Sequence, residues 1–512
     1  MEFPELYKTF KPEPIDTLLK NGSVHTGSGG SDNYILVHGE QVLKIIPNRK
    51  KYWNNIHKIK NDQEEIKFYN YFTRHLLLKN KTPHIVGSYE SIKINLKTLI
   101  DKYNKYCIDN NDTGNGKLKT KFELLMTKYD SNMSKDKKMT DKQKKNFIYK
   151  LLNFFKFNSK NTQKTQKVKS NTTNTTNTTN NSNSKKPLYY KILKANIKKS
   201  LCNFKINKYG PVMSMVKINT MLDGIYLESC TETISNYFNN VILNDKHSIN
   251  KSDSISKSDS IDTIAIDCEM FINRVIFQYS FTMCAIYTIL PTYIHNDMFL
   301  RNIMARVETK YTENDFVEYI CKNETKNENK NSKMDSGDNS SDDMIFYLPA
   351  NGICIKINDF GYSLALPEIG DKILHKDFLN RTKCVDEFTK CQPNMTTDNS
   401  HNSDTFNFLH DLYDGANMGQ YSLMTLIKNN TKIKNKVKII HSIKNTIKQY
   451  LDIDIIDKIN EINKKKLNSV WNINNIPELE ATIKHPMTYL KDNFKMFTTK
   501  PINATIVKTY TF

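Results

Sequence analysis

The stretch HNDMFLRN, residues 295 to 302, decides which fold is expected for this chain of 512 residues. It comes shortly after the most apolar run of the sequence, RVIFQYSFTMCAIYTIL (274 to 290), which predicts a buried helix. A second stretch, KINDFGYS (356 to 363), follows a β-rich run and contributes Asp359. Asp297, Asn302 and Asp359 are oxygen ligands of the kind that Mg²⁺ prefers, and they are the residue types that phosphoryl transfer requires.

Two elements near the N-terminus supply the other residue types. The segment VHTGSGGSDNYILVHGEQVLKIIP (24 to 47) predicts a glycine-rich turn and then a tight hairpin whose second strand carries Lys44. The glycines of that turn are Gly27, Gly29 and Gly30. From about 53 to 78 the apolar spacing predicts a helix, which carries Glu64 and Glu65. Lys44 needs such a carboxylate, because an unpaired ammonium on a flexible side chain samples many positions.

In this order the motifs resemble those of the protein-kinase superfamily, whose catalytic loop reads His-x-Asp-x-x-x-x-Asn and whose metal loop reads Asp-Phe-Gly. The resemblance implies that Asp297 is the base that orients the acceptor hydroxyl and that His295 supports the loop. It also implies that Asn302 and Asp359 bind Mg²⁺, with Mn²⁺ as the alternative metal, and that Lys44 binds the phosphates of ATP.

The resemblance assigns further positions around the nucleotide. EEIKFY (64 to 69) is similar to the E-x-K-x-Y helix segment of casein-kinase-1-like and vaccinia-related kinases, which selects Glu65 as the partner of Lys44. The three glycines would cover the phosphates. IYLESC (225 to 230) is similar to the segment that joins the two lobes and would set Glu228 at the nucleotide base, although LLMTKYD (124 to 130) is an alternative for this segment.

Several positions depart from the family pattern. Asp32 and Tyr34 stand where the family has its third glycine and a valine, and Phe299 stands where the catalytic loop usually has a lysine. Arg301 could supply the missing cation beside the transferred phosphoryl group. The sequence ALPE (365 to 368) comes too soon after the metal loop to be an Ala-Pro-Glu motif, and Asp404 is a candidate anchor for the catalytic loop.

The overall pattern is similar to the divergent serine/threonine kinases of large cytoplasmic DNA viruses, including the poxvirus virion kinase and its giant-virus relatives. The shared features are a HNDxxxxNIM-like loop, an intact Asp-Phe-Gly and no clear Ala-Pro-Glu, and the Asn-rich insertions fit an AT-rich giant-virus genome. This resemblance implies ATP-dependent phosphorylation of Ser or Thr in protein substrates, with viral structural proteins among the candidates. It also implies a location in the host cytoplasm or the virion.

The fold expected from these elements is α+β and bilobal. A small β-rich lobe would cover residues 20 to 230, with a low-complexity insertion at about 110 to 187. A mainly helical lobe would cover residues 231 to 512, with insertions at about 248 to 260 and about 322 to 344. The polar tract from 388 to 404 is predicted to be a loop, and the periodic segment from 439 to 462 a helix.

Composition excludes some other classes of protein. The formal charge of +21 is spread along the chain, and its lysine-rich runs have few aromatic neighbours, so a nucleic-acid site is not specifically indicated. Nine scattered cysteines without a CxxC pair favour a reducing compartment such as the cytoplasm. The run from 274 to 290 is short for a membrane span and contains Arg274, and the first residues have no signal-peptide pattern.

Two other functions fit parts of the pattern. A small-molecule phosphotransferase of the aminoglycoside or choline type shares the His-x-Asp-x-x-x-x-Asn loop, but the intact Asp-Phe-Gly and the glycine-rich turn argue against it. A pseudokinase scaffold would bind nucleic acid or virion components through its basic insertions. The presence of every catalytic residue type argues against that alternative.

Overall fold

The computed structural model describes the elements that carry these motifs. The described residues are 3–14, 23–25, 34–38, 41–46, 62–95, 221–245, 257–295, 297–322, 343–363, 365, 368–369, 372–373, 397–413, 422–431, 433, 436–454 and 483–512. The mixture of helices and mainly antiparallel sheets in these residues makes the fold α+β. The predicted insertion at about 110 to 187 and the competing segment 124 to 130 lie outside the described residues.

The N-terminal part forms a five-stranded antiparallel sheet in the order β1-β2-β3-β5-β4. Its strands are β1 (Ser23–His25), β2 (Tyr34–His38), β3 (Gln41–Ile46), β4 (Ser88–Asn95) and β5 (Met221–Glu228). Strands β2 and β3 pair as the hairpin predicted from the sequence, with Tyr34 opposite Ile45. Lys44 lies opposite Ile225 in the register of β3 and β5, so both side chains are on one face of the sheet.

A helix packs on that face of the sheet. Helix α2 (Asp62–Phe72) continues as a π-helix (Thr73–Leu77), which confirms the helix predicted for the described part of 53 to 78. Glu65, Phe68, Tyr69, Phe72 and Leu76 are buried, and their spacing of three and four residues puts them on one side of the helix. The same side that supplies apolar contacts therefore also brings a carboxylate and a phenol to Lys44.

A long helix occupies the centre of the remaining structure. Helix α4 (Lys257–Ile289) has 33 residues, and its segment from 271 to 287 is buried apart from the partly exposed Arg274. This confirms the buried helix predicted from the apolar run. The helix starts at Lys257, inside the low-complexity segment at about 248 to 260, and the assignment of that segment as an insertion stays a prediction. None of the helices in the described part of the chain has the length and hydropathy needed to span a membrane.

Two short elements lead into α4 from the sheet. Strand β5 ends at Glu228, and after strand β6 (Glu232–Thr233) the chain forms helix α3 (Ile234–Tyr237), which continues as a π-helix (Phe238–Asp245). The Thr233 side chain accepts a hydrogen bond from the Asn236 amide and caps α3. A strand, a short linker and a helix therefore follow one another around the segment IYLESC (225 to 230).

The rest of the chain contains two three-stranded sheets, and one of them includes the strand that leads into Asp359. The sheet β10-β7-β6 pairs β7 (Ile303–Glu308) with β10 (Gly352–Ile357), so the strand after HNDMFLRN lies beside the strand before Asp359. The sheet β13-β8-β9 contains β8 (Asp315–Cys321), β9 (Met344–Pro349) and β13 (Thr505–Thr511). A two-stranded pair, β11 (Glu368–Ile369) and β12 (Lys372–Ile373), follows the metal loop.

The strand β13 corrects the expectation of a helical C-terminal region. It pairs in parallel with β8, and its end is held where the Lys322 amide donates to the Phe512 carbonyl (2.8 Å). The third predicted insertion, about 322 to 344, falls between β8 and β9, where residues 323 to 342 lie outside the described part of the chain. Strands β8 and β9 flank this insertion and pair with each other, and β13 pairs with β8 on the side away from β9.

The remaining helices complete the core. They are α5 (Thr397–Tyr413), α6 (Leu423–Asn429), α7 (Lys436–Lys448) and α8 (Pro486–Asn493). Helix α5 shows that the predicted loop from 388 to 404 was wrong from Thr397 onward, because a helix begins there in spite of the polar, loop-like composition of its first residues. Helix α7 confirms the start of the periodic segment from 439 to 462, but it ends at Lys448, and residues 455 to 482 are not described.

A short N-terminal helix covers the outer face of the first sheet. Helix α1 (Phe3–Thr9) inserts Phe3 against Gly87, and Phe10 stacks on Tyr89 at 4.0 Å between ring centroids. A Cβ atom at Gly87 would overlap the Phe3 ring. Only glycine therefore allows the helix to approach this closely.

Replacing Gly87 by Ala should lower the free energy of unfolding by about 1–3 kcal/mol, the usual cost of overpacking. Urea unfolding of G87A, F3A and the double variant measures it. Because F3A removes the ring that a methyl group at position 87 would meet, the double variant should be more stable than the sum of the two single changes predicts. Additive losses would contradict this packing.

Candidate active site

Lys44 stands at the meeting point of two predicted motifs. Its ammonium forms an ion pair with Glu65 of α2 and a second one with Asp359, whose Oδ1 is 3.2 Å from Nζ. Glu65 is fully buried and Lys44 is 2% exposed, so these charges interact in a medium of low dielectric constant. The prediction that Lys44 pairs with Glu65 is confirmed, and the metal-loop aspartate lies beside the same cation.

The protonation of Lys44 follows from these neighbours. Burial by itself lowers the pKa of the ammonium, but the carboxylates of Asp359 and Glu65 outweigh burial and hold the pKa well above its usual value. Lys44 therefore stays positively charged at neutral pH. A fixed positive charge between two carboxylates is suited to binding a phosphate oxygen.

The loop HNDMFLRN folds around Asp297. The Asp297 carboxylate accepts a hydrogen bond from Arg301 Nη2 (2.5 Å) and one from Asn302 Nδ2 (2.8 Å). Asn302 Nδ2 also donates to the Asp297 carbonyl (2.7 Å), which closes the loop over the 3₁₀ turn Leu300–Asn302. The Arg301 guanidinium lies 4.5 Å from the centroid of the Phe299 ring. The three predicted residues Asp297, Arg301 and Asn302 thus form one hydrogen-bonded unit.

Two buried aspartates of α5 hold this loop from below. Asp404 Oδ2 accepts the backbone N–H of His295 (2.5 Å), and Asp411 Oδ2 accepts the backbone N–H of Leu300 (2.7 Å). Burial raises the pKa of the Asp411 carboxyl, and the hydrogen bond from Leu300 partly offsets this. The sequence predicted the anchor Asp404 but missed Asp411. The spacing of seven residues, two helical turns on one face, was the signal that could have found it.

His295 connects the loop to the second motif. Its Nε2 lies 3.1 Å from the Asn358 carbonyl oxygen, to which it donates, and its ring is packed 5.5 Å from the Phe360 ring. Burial lowers the pKa of the imidazole, and the carboxylates of Asp297 and Asp359 offset only part of that effect. His295 is therefore neutral near pH 7, and its ring connects HNDMFLRN, the loop it was predicted to support, to the backbone before Asp359.

A tyrosine that the sequence did not single out also reaches this backbone. Asp359 has φ 61° and ψ 66°, in the left-handed region, and its N–H donates to the Tyr69 hydroxyl (3.1 Å). The Tyr69 hydroxyl in turn donates to Asn358 Oδ1. Tyr69 lies one turn after Glu65 on α2, so the helical spacing of i and i+4 was the available signal.

Glu228 lies in a buried cluster of charges at the end of β5. Its carboxylate is 1% exposed and contacts Lys356 Nζ (2.8 Å), Arg306 Nη1 (2.8 Å) and the Gly87 N–H (3.1 Å). Glu228 does end strand β5 at the start of the predicted linker. Because buried partners already occupy the carboxylate, a nucleotide base at this point would have to contact the backbone of the linker. The assignment of Glu228 to the base stays a prediction.

Some predicted residues cannot be located. Gly27, Gly29 and Gly30 lie outside the described residues, as do Asp32 and Asn296. The strands β1 and β2 on either side of the glycine-rich segment pair in antiparallel fashion, so the segment connects two neighbouring strands. The assignment of the glycines to the phosphates of a nucleotide stays a prediction.

The donor set fits a hard divalent cation. Asn302 uses its Nδ2 on Asp297, which leaves its carbonyl oxygen as a ligand, and its backbone carbonyl accepts the N–H of Asn358 (2.9 Å) next to Asp359. Within the described residues there is no cluster of three or more His, Cys, Asp or Glu side chains that could hold a metal. Mg²⁺ that arrives with nucleotide phosphates needs only one or two protein carboxylates, so Asn302 and Asp359 suffice for that mode.

Comparison with known proteins gives one relationship. No protein-family model matches the chain, and no solved structure matches it. A protein of Acanthamoeba polyphaga mimivirus, named "Putative serine/threonine-protein kinase", is 28% identical over 530 aligned residues. The alignment covers 99% of this chain and 98% of the relative, so the two proteins correspond over nearly their whole lengths. The chain is therefore related to a divergent, kinase-like protein of a large DNA virus.

Proposed function

We propose that this protein is an ATP-dependent protein kinase that transfers the γ-phosphoryl group to Ser or Thr hydroxyls of protein substrates. The observation that carries the proposal is the position of Lys44, which contacts both Glu65 and Asp359. These three residues come from a strand, a helix and a loop that are separated by up to 315 positions in sequence. The kinase-like relative supports the same class of reaction.

Each side chain of the site would have its own role in such a reaction. Asp297 would accept the hydrogen bond of the acceptor hydroxyl and take its proton, while Asn302 and Arg301 keep the carboxylate in one orientation. Lys44 would bind phosphate oxygens, and Asn302 and Asp359 would hold Mg²⁺ or Mn²⁺. The metal, when bound with ATP, neutralises charge on the transferred phosphoryl group. Arg301 is also close enough to the acceptor site, through Asp297, to add a positive charge there.

The proposed fold is bilobal and kinase-like. The first sheet with α2 corresponds to the small lobe, residues 20 to 230 with the insertion at about 110 to 187. The helices around α4, with the sheets that contain β7 to β10 and β13, correspond to the larger lobe, residues 231 to 512. The site lies between them, since Lys44 and Glu65 belong to the first and Asp297 and Asp359 to the second.

Transfer of radiolabel from [γ-³²P]ATP tests this function. We expect labelled phosphoserine or phosphothreonine in basic or acidic protein acceptors, with virion proteins included among them, and dependence on Mg²⁺ or Mn²⁺. Aminoglycosides and choline serve as small-molecule acceptors in parallel reactions. Labelling of these compounds without labelling of protein would replace the proposal by a small-molecule phosphotransferase. The absence of Mg-ATP binding in a thermal-shift assay would favour a pseudokinase scaffold.

A further inference from the structure

The Tyr69 hydroxyl makes two hydrogen bonds to the backbone and side chain that precede Asp359. It accepts the Asp359 N–H (3.1 Å) and donates to Asn358 Oδ1. The whole side chain is buried. Because Tyr69 follows Glu65 by four residues, the same helix face that orients Lys44 also holds the metal loop.

Asn358 extends these contacts to the catalytic loop. Its backbone N–H donates to the Asn302 carbonyl (2.9 Å), and its carbonyl accepts the hydrogen bond from His295 Nε2 (3.1 Å). Asn358, the residue before Asp359, therefore has contacts with α2 and with both ends of HNDMFLRN. Movement of α2 would be passed through Tyr69 to both candidate metal ligands.

The conformation of Asp359 needs such support. A non-glycine residue in the left-handed region costs about 1–2 kcal/mol, and it persists only where the surroundings fix it. The Tyr69 hydroxyl fixes the amide of this residue, while the Tyr69 ring packs edge-on against Phe360 at 4.8 Å between centroids. The Lys44 ammonium lies 5.6 Å from the centroid of the same ring. The ring thus packs the site, and the hydroxyl sets the backbone geometry.

We propose that Tyr69 is a positioning residue whose hydroxyl fixes the peptide before Asp359 and thereby holds the Asp359 carboxylate at Lys44. The kinetic part of this inference rests on the proposed kinase function. The structural part does not, because it concerns the protein without ligands. Tyr69→Phe separates the two roles of the side chain, since it keeps the ring and removes only the hydroxyl.

Hydrogen–deuterium exchange on the ligand-free protein tests the structural part. In Y69F the Asp359 amide should exchange about five to ten times faster than in the wild type, as expected for the loss of one hydrogen bond. Tyr71→Phe is the matched control. Tyr71 is on the same helix and half-buried, but its hydroxyl lies 3.4 Å from the Ile289 carbonyl, away from the metal loop. Y71F should leave exchange at Asp359 unchanged, and equal exchange in Y69F and the wild type would overturn the inference.

Steady-state phosphotransfer tests the kinetic part. Y69F should lower kcat about tenfold and raise the Mg²⁺ concentration for half-maximal activity, because a loosely held Asp359 binds the metal less well. The KM for the protein substrate should not change, since Tyr69 is buried away from it. Equal losses in Y69F and Y71F would overturn the positioning role. If the wild type labels no acceptor, the proposed function fails, and the exchange measurement still decides the role of Tyr69.

Discussion

Asp297→Asn is expected to lower the turnover of phosphotransfer by about 10²- to 10⁴-fold, the range associated with loss of a general base. Asparagine has nearly the same shape as aspartate but cannot take a proton from the acceptor hydroxyl. It keeps one of the two oxygens that accept from Arg301 and Asn302, so about one hydrogen bond, roughly 1 kcal/mol, is lost. The variant should remain folded and bind Mg-ATP with an affinity close to that of the wild type.

Initial rates with saturating Mg-ATP measure the change in turnover, and thermal shift with and without Mg-ATP measures folding and binding. Asp454→Asn is the matched control, because Asp454 is an exposed carboxylate that pairs with Lys448 at the surface (2.8 Å). Its rate should equal that of the wild type, since exposed ion pairs contribute little. Wild-type turnover in D297N would remove Asp297 from the role of base.

The parts of the site that form within one short stretch of sequence were predictable from the residues of that stretch. HNDMFLRN leads directly into β7, and β10 leads directly into Asp359. The pairing of β7 with β10 therefore brings His295, Asp297 and Asn302 close to Asp359. Spacing alone did not distinguish Glu65 from Glu64. The resemblance to a helix segment of known kinases did, and the buried ion pair with Lys44 confirms it.

Contacts between segments that are far apart in the sequence were not predictable from periodicity. Strand β13 alternates like many strands, but nothing local shows that Thr505 pairs with Asp315, which is about 190 residues earlier and parallel. Helix α5 has a polar first half whose composition is typical of loops, and tertiary contacts at Asp404 and Asp411 decide its position. The resemblance would set Glu228 at the nucleotide base, but its cationic partners Arg306 and Lys356 lie on strands that only the folded chain brings near.

These partners make Glu228 the position with the largest expected effect on stability. Its side chain is 1% exposed and accepts from Lys356, Arg306 and the Gly87 amide, so it joins β5 to β7, to β10 and to the residue before β4. Burial by itself lowers the pKa of the Lys356 ammonium, but Glu228 outweighs it and the net pKa is raised. Lys356 therefore remains charged as long as Glu228 is present.

Glu228→Gln should lower the free energy of unfolding by about 3–5 kcal/mol, because it leaves the buried Lys356 ammonium without its carboxylate. Lys356→Met should cost less, since Glu228 keeps Arg306 as its partner. The double variant lacks the buried Lys356 ammonium that E228Q leaves without its carboxylate. Its loss of unfolding free energy should therefore be clearly smaller than the sum of the two single losses. Urea unfolding of the three variants measures this coupling, with Asp492→Asn, in the exposed pair with Lys484, as a control that should change little. Strictly additive losses would mean that Glu228 and Lys356 act independently. An E228Q protein as stable as the wild type would mean that the linker between β5 and β6 does not depend on this buried cluster of charges.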